Sequence, residues 1–201
     1  MANSGVFVVL EGGDGCGKST QVQLLVSRLR DLGRETVATR EPGATEAGAA
    51  IRSLVLGGGD LDARAEALLI AADRAQHVAE VVGPALERGV VVVSDRYVPS
   101  SLAYQGLARG LGVDEIARLS EWATGGLVPD LVVVLDVPAG EAARRRAGPR
   151  DRMEREPDSF REAVNQAYRD LADRFGWALV DGTAPIEDVA DRVWKLVRPL
   201  V

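Results

Sequence analysis

Short apolar runs alternate along this chain with longer stretches of helical periodicity. Val6–Leu10 (VFVVL) is continuously apolar and stops at a glycine-rich turn, which predicts a buried strand. From Lys18 to about Leu32, apolar Val22, Leu25, Val26 and Leu29 recur at i, i+3, i+4 and i+7, and Gly33 follows, so the spacing predicts a helix with a glycine stop. Thr36–Thr39 reads as a second strand, and Glu46–Leu56 and Asp62–Arg88 as helices. The second is long and Ala-rich, with Pro84 expected to kink it. Val90–Ser94 and Leu131–Val137 are β-branched runs of the kind covered on both faces in a parallel sheet. Helices are predicted over Val113–Trp122 and Ala139–Arg146, with a charged loop over Gly148–Glu156. Pro157–Phe175 is amphipathic, with Phe160, Ala163, Val164, Ala167, Leu171 and Phe175 on one face. Trp177–Val180 is the fifth strand and Ile186–Val197 the last helix.

Five buried strands separated by helices predict an α/β chain: one domain over residues 1–201, with an open parallel sheet covered by helices on both faces. Ligands of such sheets bind beyond the carboxyl ends of the strands. The glycine-rich turn follows the first strand there, and Asp95-Arg96 follows the third.

Composition narrows the function classes. The 201 residues are 46% hydrophobic and 27% charged, as in ordinary globular proteins. A net charge of -6 argues against a general nucleic-acid binder, and no apolar run reaches membrane-helix length. The start, MANSGVFVVLEGG, lacks the basic region and cleavage site of a signal peptide. A lone Cys16 fits a reducing compartment, so a cytoplasmic location is expected. An acidic chain still binds anions where its cations converge.

Residues 11–20 read EGGDGCGKST, in which Gly12, Gly17, Lys18 and Ser19 match G-x-x-x-x-G-K-[ST] between a predicted strand and a predicted helix. Glycines let the backbone turn its N–H groups onto phosphate oxygens, and the helix N-terminus adds partial positive charge. The loop Gly12, Gly13, Asp14, Gly15, Cys16, Gly17, Lys18, Ser19 and Thr20 is therefore the segment expected to bind a nucleoside triphosphate. Lys18 is placed to reach the β- and γ-phosphates, and Ser19 to ligate Mg²⁺ with Asp95 at the end of the third strand. Arg96 beside Asp95 is suited to a bidentate phosphate clamp. Arg52 in IRSLVL, Arg74 in LLIAADRAQHV and the TREPGAT turn after strand two leave the same sheet edge. Singly, each arginine reads more simply as a solvated side chain. Together they suggest a second anion site, which a plain ATPase does not need and a kinase with a phosphorylated acceptor does.

In this order and spacing EGGDGCGKST, TREPGAT, RSLVL, AADRAQHV, DRYVPSSLAYQG, PDLVVVLDV and DRMERE resemble the thymidylate kinases, from about Val6 to Val137 and on through the loop near Arg152. The resemblance implies the P-loop nucleoside-monophosphate-kinase fold, transfer from Mg-ATP to dTMP, and a homodimer without nucleic-acid or membrane partners. It implies that Arg52 and Arg96 hold the dTMP phosphate, that Arg74 bonds the thymine O4, and that Ser100 and Ser101 meet the substrate, Ser101 at the pyrimidine edge. Tyr104 is implied to close the sugar C2′ side against a ribose hydroxyl, Gln105 to extend that wall, and Pro42 to shape the turn bringing Arg40 and Glu41 to the acceptor. Asp14 is implied to accept from the sugar 3′-OH or to organise metal-bound water. Where the family commonly has Phe stacking on thymine, this chain has Ile70; base–aromatic stacking contributes on the order of 1–3 kcal/mol.

Members of the family that carry an arginine within the phosphate loop have it where this chain has Gly15. Others supply it from a lid, here the segment at about 144–156, which makes this a lid-arginine subtype. Arg145 matches the position stacking on adenine, and Arg150 and Arg152 are the expected lid arginines. On that reading Arg152→Ala lowers kcat much more than it raises the dTMP KM. Asp181–Pro185 is expected to wall the adenine pocket, Cys16 to fill space, His77 to be structural, and Trp122, Trp177 and Trp194 to be core or interface anchors. The alternatives are a kinase for another pyrimidine monophosphate or a deoxynucleoside, a nucleotide switch (the chain has no N-K-x-D motif), and an inactive nucleotide-binding paralogue.

Overall fold

The structure is a computed structural model that describes residues 5–57, 59–145 and 151–201. Its centre is a five-stranded all-parallel sheet in the order β2-β3-β1-β4-β5. The strands are β1 Val6–Glu11, β2 Thr36–Arg40, β3 Val91–Asp95, β4 Leu131–Asp136 and β5 Ala178–Asp181. Register pairs Leu10 with Asp95 and Arg40 with Asp95, so the carboxyl ends of β1, β2 and β3 finish side by side.

Alternate residues of the strands feed two cores. Phe7, Val9, Val92, Val132 and Val134 point to one side. There they meet α3 (Ala63–His77), α4 (Gly83–Glu87), α6 (Val113–Thr124) and α8 (Asp158–Phe175). Val8, Leu10, Val91, Val93, Val133 and Leu135 point to the other, against α1 (Lys18–Asp31) and α9 (Ile186–Val197). Each fully buried Val or Leu contributes about 1.5–3 kcal/mol, which is why the strands are apolar throughout rather than alternating.

The helix read over Asp62–Arg88 is α3 and α4 joined through a π turn at Val78–Val82. Gly83 N–H donates to the Val78 carbonyl, five residues back. The widened turn lies directly before Pro84, whose missing N–H leaves no partner for an ordinary helical bond. Residues 98–108, unassigned from sequence, form α5 (Val98–Ser101) and a second π turn (Leu102–Ala108). Leu102–Gly106 is buried on every side, so it carries no apolar stripe.

Two packing expectations change. On α8, Ala163 and Phe175 are exposed, whereas Tyr168 and Ala172 join Val164, Ala167 and Leu171 in the core, so the buried face is rotated from the expected one and packs chiefly against the π turn at Leu102–Ala108. Trp122 is 85% exposed and anchors no core. Trp177 and Trp194 are partly buried against the two cores. α2 spans Glu46–Gly57 and α7 spans Ala139–Arg145. Arg146 and Gly148–Arg150 of the expected helix and lid lie outside the described residues.

Candidate active site

The glycine-rich turn links β1 to α1 at the carboxyl edge of the sheet. Gly17 sits at φ +98° and Gly12 at φ +132°, conformations that L side chains rarely adopt. A Cβ on Gly12 would stand 2.5 Å from the Leu135 carbonyl oxygen, so the loop lies flat on β4. Lys18 Nζ donates to the Gly12 and Gly13 carbonyls at 3.0 and 2.9 Å, closing the loop into a ring. Ser19 Oγ donates to Asp95 Oδ2 at 2.6 Å. These two oxygen groups at the first turn of α1 suit Mg²⁺, which takes hard oxygen ligands and binds through one or two protein groups plus substrate phosphates. Among the described residues no cluster of three or more His, Cys, Asp or Glu could hold a metal by itself.

A cavity of about 870 Å³ runs from this loop in both directions. One end is lined by Arg145, Gly182, Thr183, Ala184, Pro185 and Ile186, the wall read after the last strand. Arg145 donates to the Gly182 carbonyl at 2.8 Å and pairs with Glu141, which holds its guanidinium at the cavity mouth. The other end is lined by Arg40, Glu41, Arg52, Asp95 and Arg96. Burial lowers the Arg52 pKa, and the neighbouring Arg40 charge lowers it further. Guanidinium groups that disfavour one another across a cleft form a site for an anion.

Arg96 is the only non-glycine residue with positive φ, +75°, among the described residues. Such a backbone costs about 1–3 kcal/mol and persists where surrounding contacts impose it. Its N–H donates to the Leu10 carbonyl, and its carbonyl accepts from Ser94 Oγ. The side chain turns back into the site and donates to Asp14 Oδ1 at 2.6 Å, Ser100 Oγ at 2.9 Å and Tyr168 OH at 3.1 Å. Burial works against the Arg96 charge, but Tyr104, Asp14, Tyr168 and Glu11 raise its pKa well above the ordinary value.

Asp14 also accepts from Tyr104 OH at 3.0 Å. Burial pushes its carboxyl up, yet the charges of Arg96 and Lys18 outweigh this and hold it at about 2, so it is ionised throughout the neutral range. Burial, then the Asp14 charge, raises the Tyr104 phenol, which therefore remains a proton donor.

Behind Arg96 lies a smaller pocket lined by Pro42, Ile70, Arg74, Ser101, Tyr104 and Gln105, with Asp14, Glu41 and Arg96 shared between the two spaces. Arg74 is 1% exposed. Its Nε donates to Glu41 at 2.7 Å, Nη1 to Ser101 at 3.0 Å and Nη2 to the Tyr97 carbonyl at 2.9 Å. The other Glu41 oxygen lies 2.8 Å from His77 Nδ1, and His77 Nε2 lies 2.6 Å from Thr39 Oγ1. His77 is thus a buried support for Glu41. The Glu41–Pro42 bond is cis. Asp73, which drew no attention in the sequence, accepts from Gly43 N–H at 2.9 Å and ties the TREPGAT turn to α3.

Two expected residues need separate report. Arg150 lies outside the described residues. Arg152 is not brought to the ATP-loop cavity. It is 7% exposed, donates from Nε to the Val55 carbonyl at 2.7 Å and pairs with Glu66. The terminal carbonyls of α2 and a buried carboxylate attract its charge more strongly than the open donor cleft.

Glu11 was also missed as a functional group. It is fully buried at the end of β1 and accepts from Tyr97 N–H (2.8 Å), Ser100 Oγ (2.7 Å) and Tyr168 OH (2.9 Å). Burial raises its pKa despite Arg96 and these donors. A carboxylate ending a run of otherwise apolar strand residues was the available signal.

A phosphate loop facing an arginine-lined second cleft on a five-stranded parallel sheet defines a P-loop kinase of the nucleoside-monophosphate class. The sequence model of the thymidylate kinases matches residues 10–193. The thymidylate kinase of Leifsonia xyli subsp. xyli is 52% identical over 196 residues, covering 94% of this chain and 92% of its own. That of Clavibacter michiganensis is 50% identical over 206 residues, covering 98% and 97%. That of Halothermothrix orenii is 42% identical over 200 residues, covering 96% and 97%. The chain belongs to the thymidylate kinase family.

Proposed function

We propose that this chain transfers the γ-phosphoryl group of ATP directly to dTMP, giving dTDP for dTTP synthesis. The observation that carries the proposal is the meeting of two spaces at Asp14 and Arg96: the cavity over the phosphate loop and the pocket around Arg74. A donor and an acceptor nucleotide bound in them would present their phosphates to one another across Arg96.

The reaction forms a bond between a dTMP phosphate oxygen and Pγ and breaks the bond from Pγ to the β-bridging oxygen. A phosphate monoester with its second pKa near 6 is mostly dianionic at neutral pH, so its attacking oxygen needs no general base. Catalysis is then positioning and charge stabilisation. Loop N–H groups and Lys18 hold the donor phosphates, Lys18 exchanging the Gly12 and Gly13 carbonyls for phosphate oxygens. Arg145 and the 182–186 backbone flank the adenine. Arg52, Arg96 and Arg40 hold the acceptor phosphate. Arg74 and Ser101 address the base beside Ile70, and Tyr104 and Gln105 close the sugar side. Asp14, by accepting from Arg96 and Tyr104, fixes both where the phosphates meet. Ser19 and Asp95 would hold Mg²⁺, which supplies neutralisation of the donor charge.

The enzyme is read as a cytoplasmic homodimer with no nucleic-acid or membrane partner. Among the described residues no helix is long and apolar enough to cross a membrane. Exposed Leu54, Leu68 and Trp122 lie on α2, α3 and α6, which adjoin one another and offer apolar surface for a second copy. A coupled assay with ATP against dTMP, dUMP, CMP, UMP and thymidine tests the activity. dTMP is expected to have the highest kcat/KM; equal use of CMP refutes the substrate assignment.

A further inference from the structure

The Arg152 side chain leads to a cluster of which the transfer reaction uses Gln105 alone. Glu66, in the first turn of α3, is 0% exposed. One of its carboxylate oxygens accepts from Gln105 Nε2 at 2.9 Å, and the other pairs with Arg152 and with Arg109 Nη2 at 3.3 Å. Burial pushes this carboxyl up, but hydrogen bonds from Gln105 and Arg152 and the charge of Arg109 outweigh it and hold the group below its usual range. Glu66 thus stays charged and retains every donor aimed at it.

Each donor comes from a different part of the acceptor side. Gln105 lines the acceptor pocket itself. Arg109 follows the π turn that carries Tyr104 and Gln105; it also pairs with Glu156 at 2.6 Å and lies 4.6 Å over the Phe160 ring. Arg152 comes from the segment between α7 and α8. Its backbone N–H donates to the Leu56 carbonyl at 3.0 Å, and its Nε to the Val55 carbonyl, so it caps the last turn of α2. The residues on either side of it, Asp151 and Met153, line the acceptor pocket with Val55 and Ile70. The stretch 151–153 is therefore held as a wall of the acceptor pocket, while Glu154 beyond it lines the larger cavity.

We propose that Glu66 is a positioning residue for the acceptor, and that Arg152 acts through it to set the wall of the dTMP pocket rather than by touching the donor phosphates. A carboxylate that gathers a pocket side chain and the anchor of a pocket wall sets the width of the slot between them. Loss of Glu66 frees Gln105, Arg109 and Arg152 together. Loss of Arg152 detaches the wall but leaves Glu66 bound to Gln105 and Arg109. The effect falls on acceptor binding, since neither residue lines the cavity over the phosphate loop. This role rests on dTMP being the acceptor.

The test is steady-state kinetics on full-length wild type, E66Q, E66A, R152A and the E66A/R152A double variant, with dTMP and ATP varied separately. R152A is expected to raise the dTMP KM roughly tenfold or more, with the ATP KM within about twofold and a smaller fall in kcat. E66A is expected to raise it further, E66Q less, because the amide keeps an acceptor for Gln105. The double variant should resemble E66A alone, since neighbours sharing one network are not additive. R152A leaves Glu66 paired with Gln105 and Arg109, so it remains informative if E66A fails to fold. An R152A variant that loses kcat or ATP affinity at unchanged dTMP KM overturns the proposal and returns Arg152 to the donor. Unchanged KM values in both E66A and R152A also overturn it, while dTMP turnover by wild type still stands. Wild type that does not phosphorylate dTMP refutes the substrate reading instead.

Discussion

The two halves of the active site are built from different materials. The donor half is largely backbone: a glycine loop, the first turn of α1 and the carbonyls of Gly182 and Thr183 that hold Arg145. The acceptor half is a network of buried side chains, in which Thr39, His77, Glu41, Arg74 and Ser101 form one chain and Gln105, Glu66 and Arg152 another. Backbone recognition suits a phosphate chain, whose oxygens are alike and need only N–H groups and positive charge. Discrimination among similar nucleotides needs fixed donors and acceptors, whose loss leaves buried groups unpaired. The two halves should therefore fail in different ways: a donor change costs rate, and an acceptor change costs stability and specificity together.

The largest expected effect follows from breaking the acceptor network at its centre. Arg74→Ala leaves the buried Glu41 carboxylate with the His77 ring but without its guanidinium, and loss of one partner of a buried ion pair costs about 3–5 kcal/mol. Urea denaturation should show this as a large fall in midpoint. Removing charge from the donor half instead costs turnover. Lys18→Met should lower kcat about 10²- to 10³-fold, the scale seen for one transition-state donor, with the urea midpoint little changed.

A gain is expected from Ile70→Phe, which returns an aromatic ring to the acceptor pocket. Base stacking contributes about 1–3 kcal/mol, so the dTMP KM should fall while the ATP KM stays constant. The smallest effect concerns pH. The folded Asp14 carboxyl, at about 2, lies below its ordinary 3.8. A depressed carboxylate stabilises the fold above its unfolded pKa, and the contribution is lost as pH falls from near 4 toward 2. The acid destabilisation of wild type, followed by urea midpoints over that window, should exceed that of Asp14→Asn by at most about 2 kcal/mol.

The same division decides what could be read from the sequence. The β strands stood out as β-branched runs, and α9 was bounded as Ile186–Val197 because its apolar period and flanking Pro185 agree with its packing. The phosphate loop was legible because its chemistry is local: consecutive glycines, a lysine and a serine. The acceptor arginines could be grouped by the sheet edge they leave, but not their partners. Nothing in sequence ties Glu41 to His77, or Glu66 to Gln105 and Arg152, across separations of 36, 39 and 86 residues. The segment 98–108 was missed as helical because its π turn is wound out of step with a 3.6-residue period and buried all round. The DRMERE motif marks Arg152 without showing its direction, and the structure turns it to Glu66 and the Val55 carbonyl.

Donor and acceptor recognition are separable, and the two spaces meet at Asp14, Glu41 and Arg96. Titration calorimetry of dTMP into Lys18→Met tests this separability most directly. Lys18 donates to loop carbonyls and to no acceptor side chain, so the dTMP Kd should stay within about threefold of wild type although turnover has collapsed. A loss of dTMP affinity of about tenfold or more would mean that the phosphate loop is part of the acceptor site, and would contradict the account.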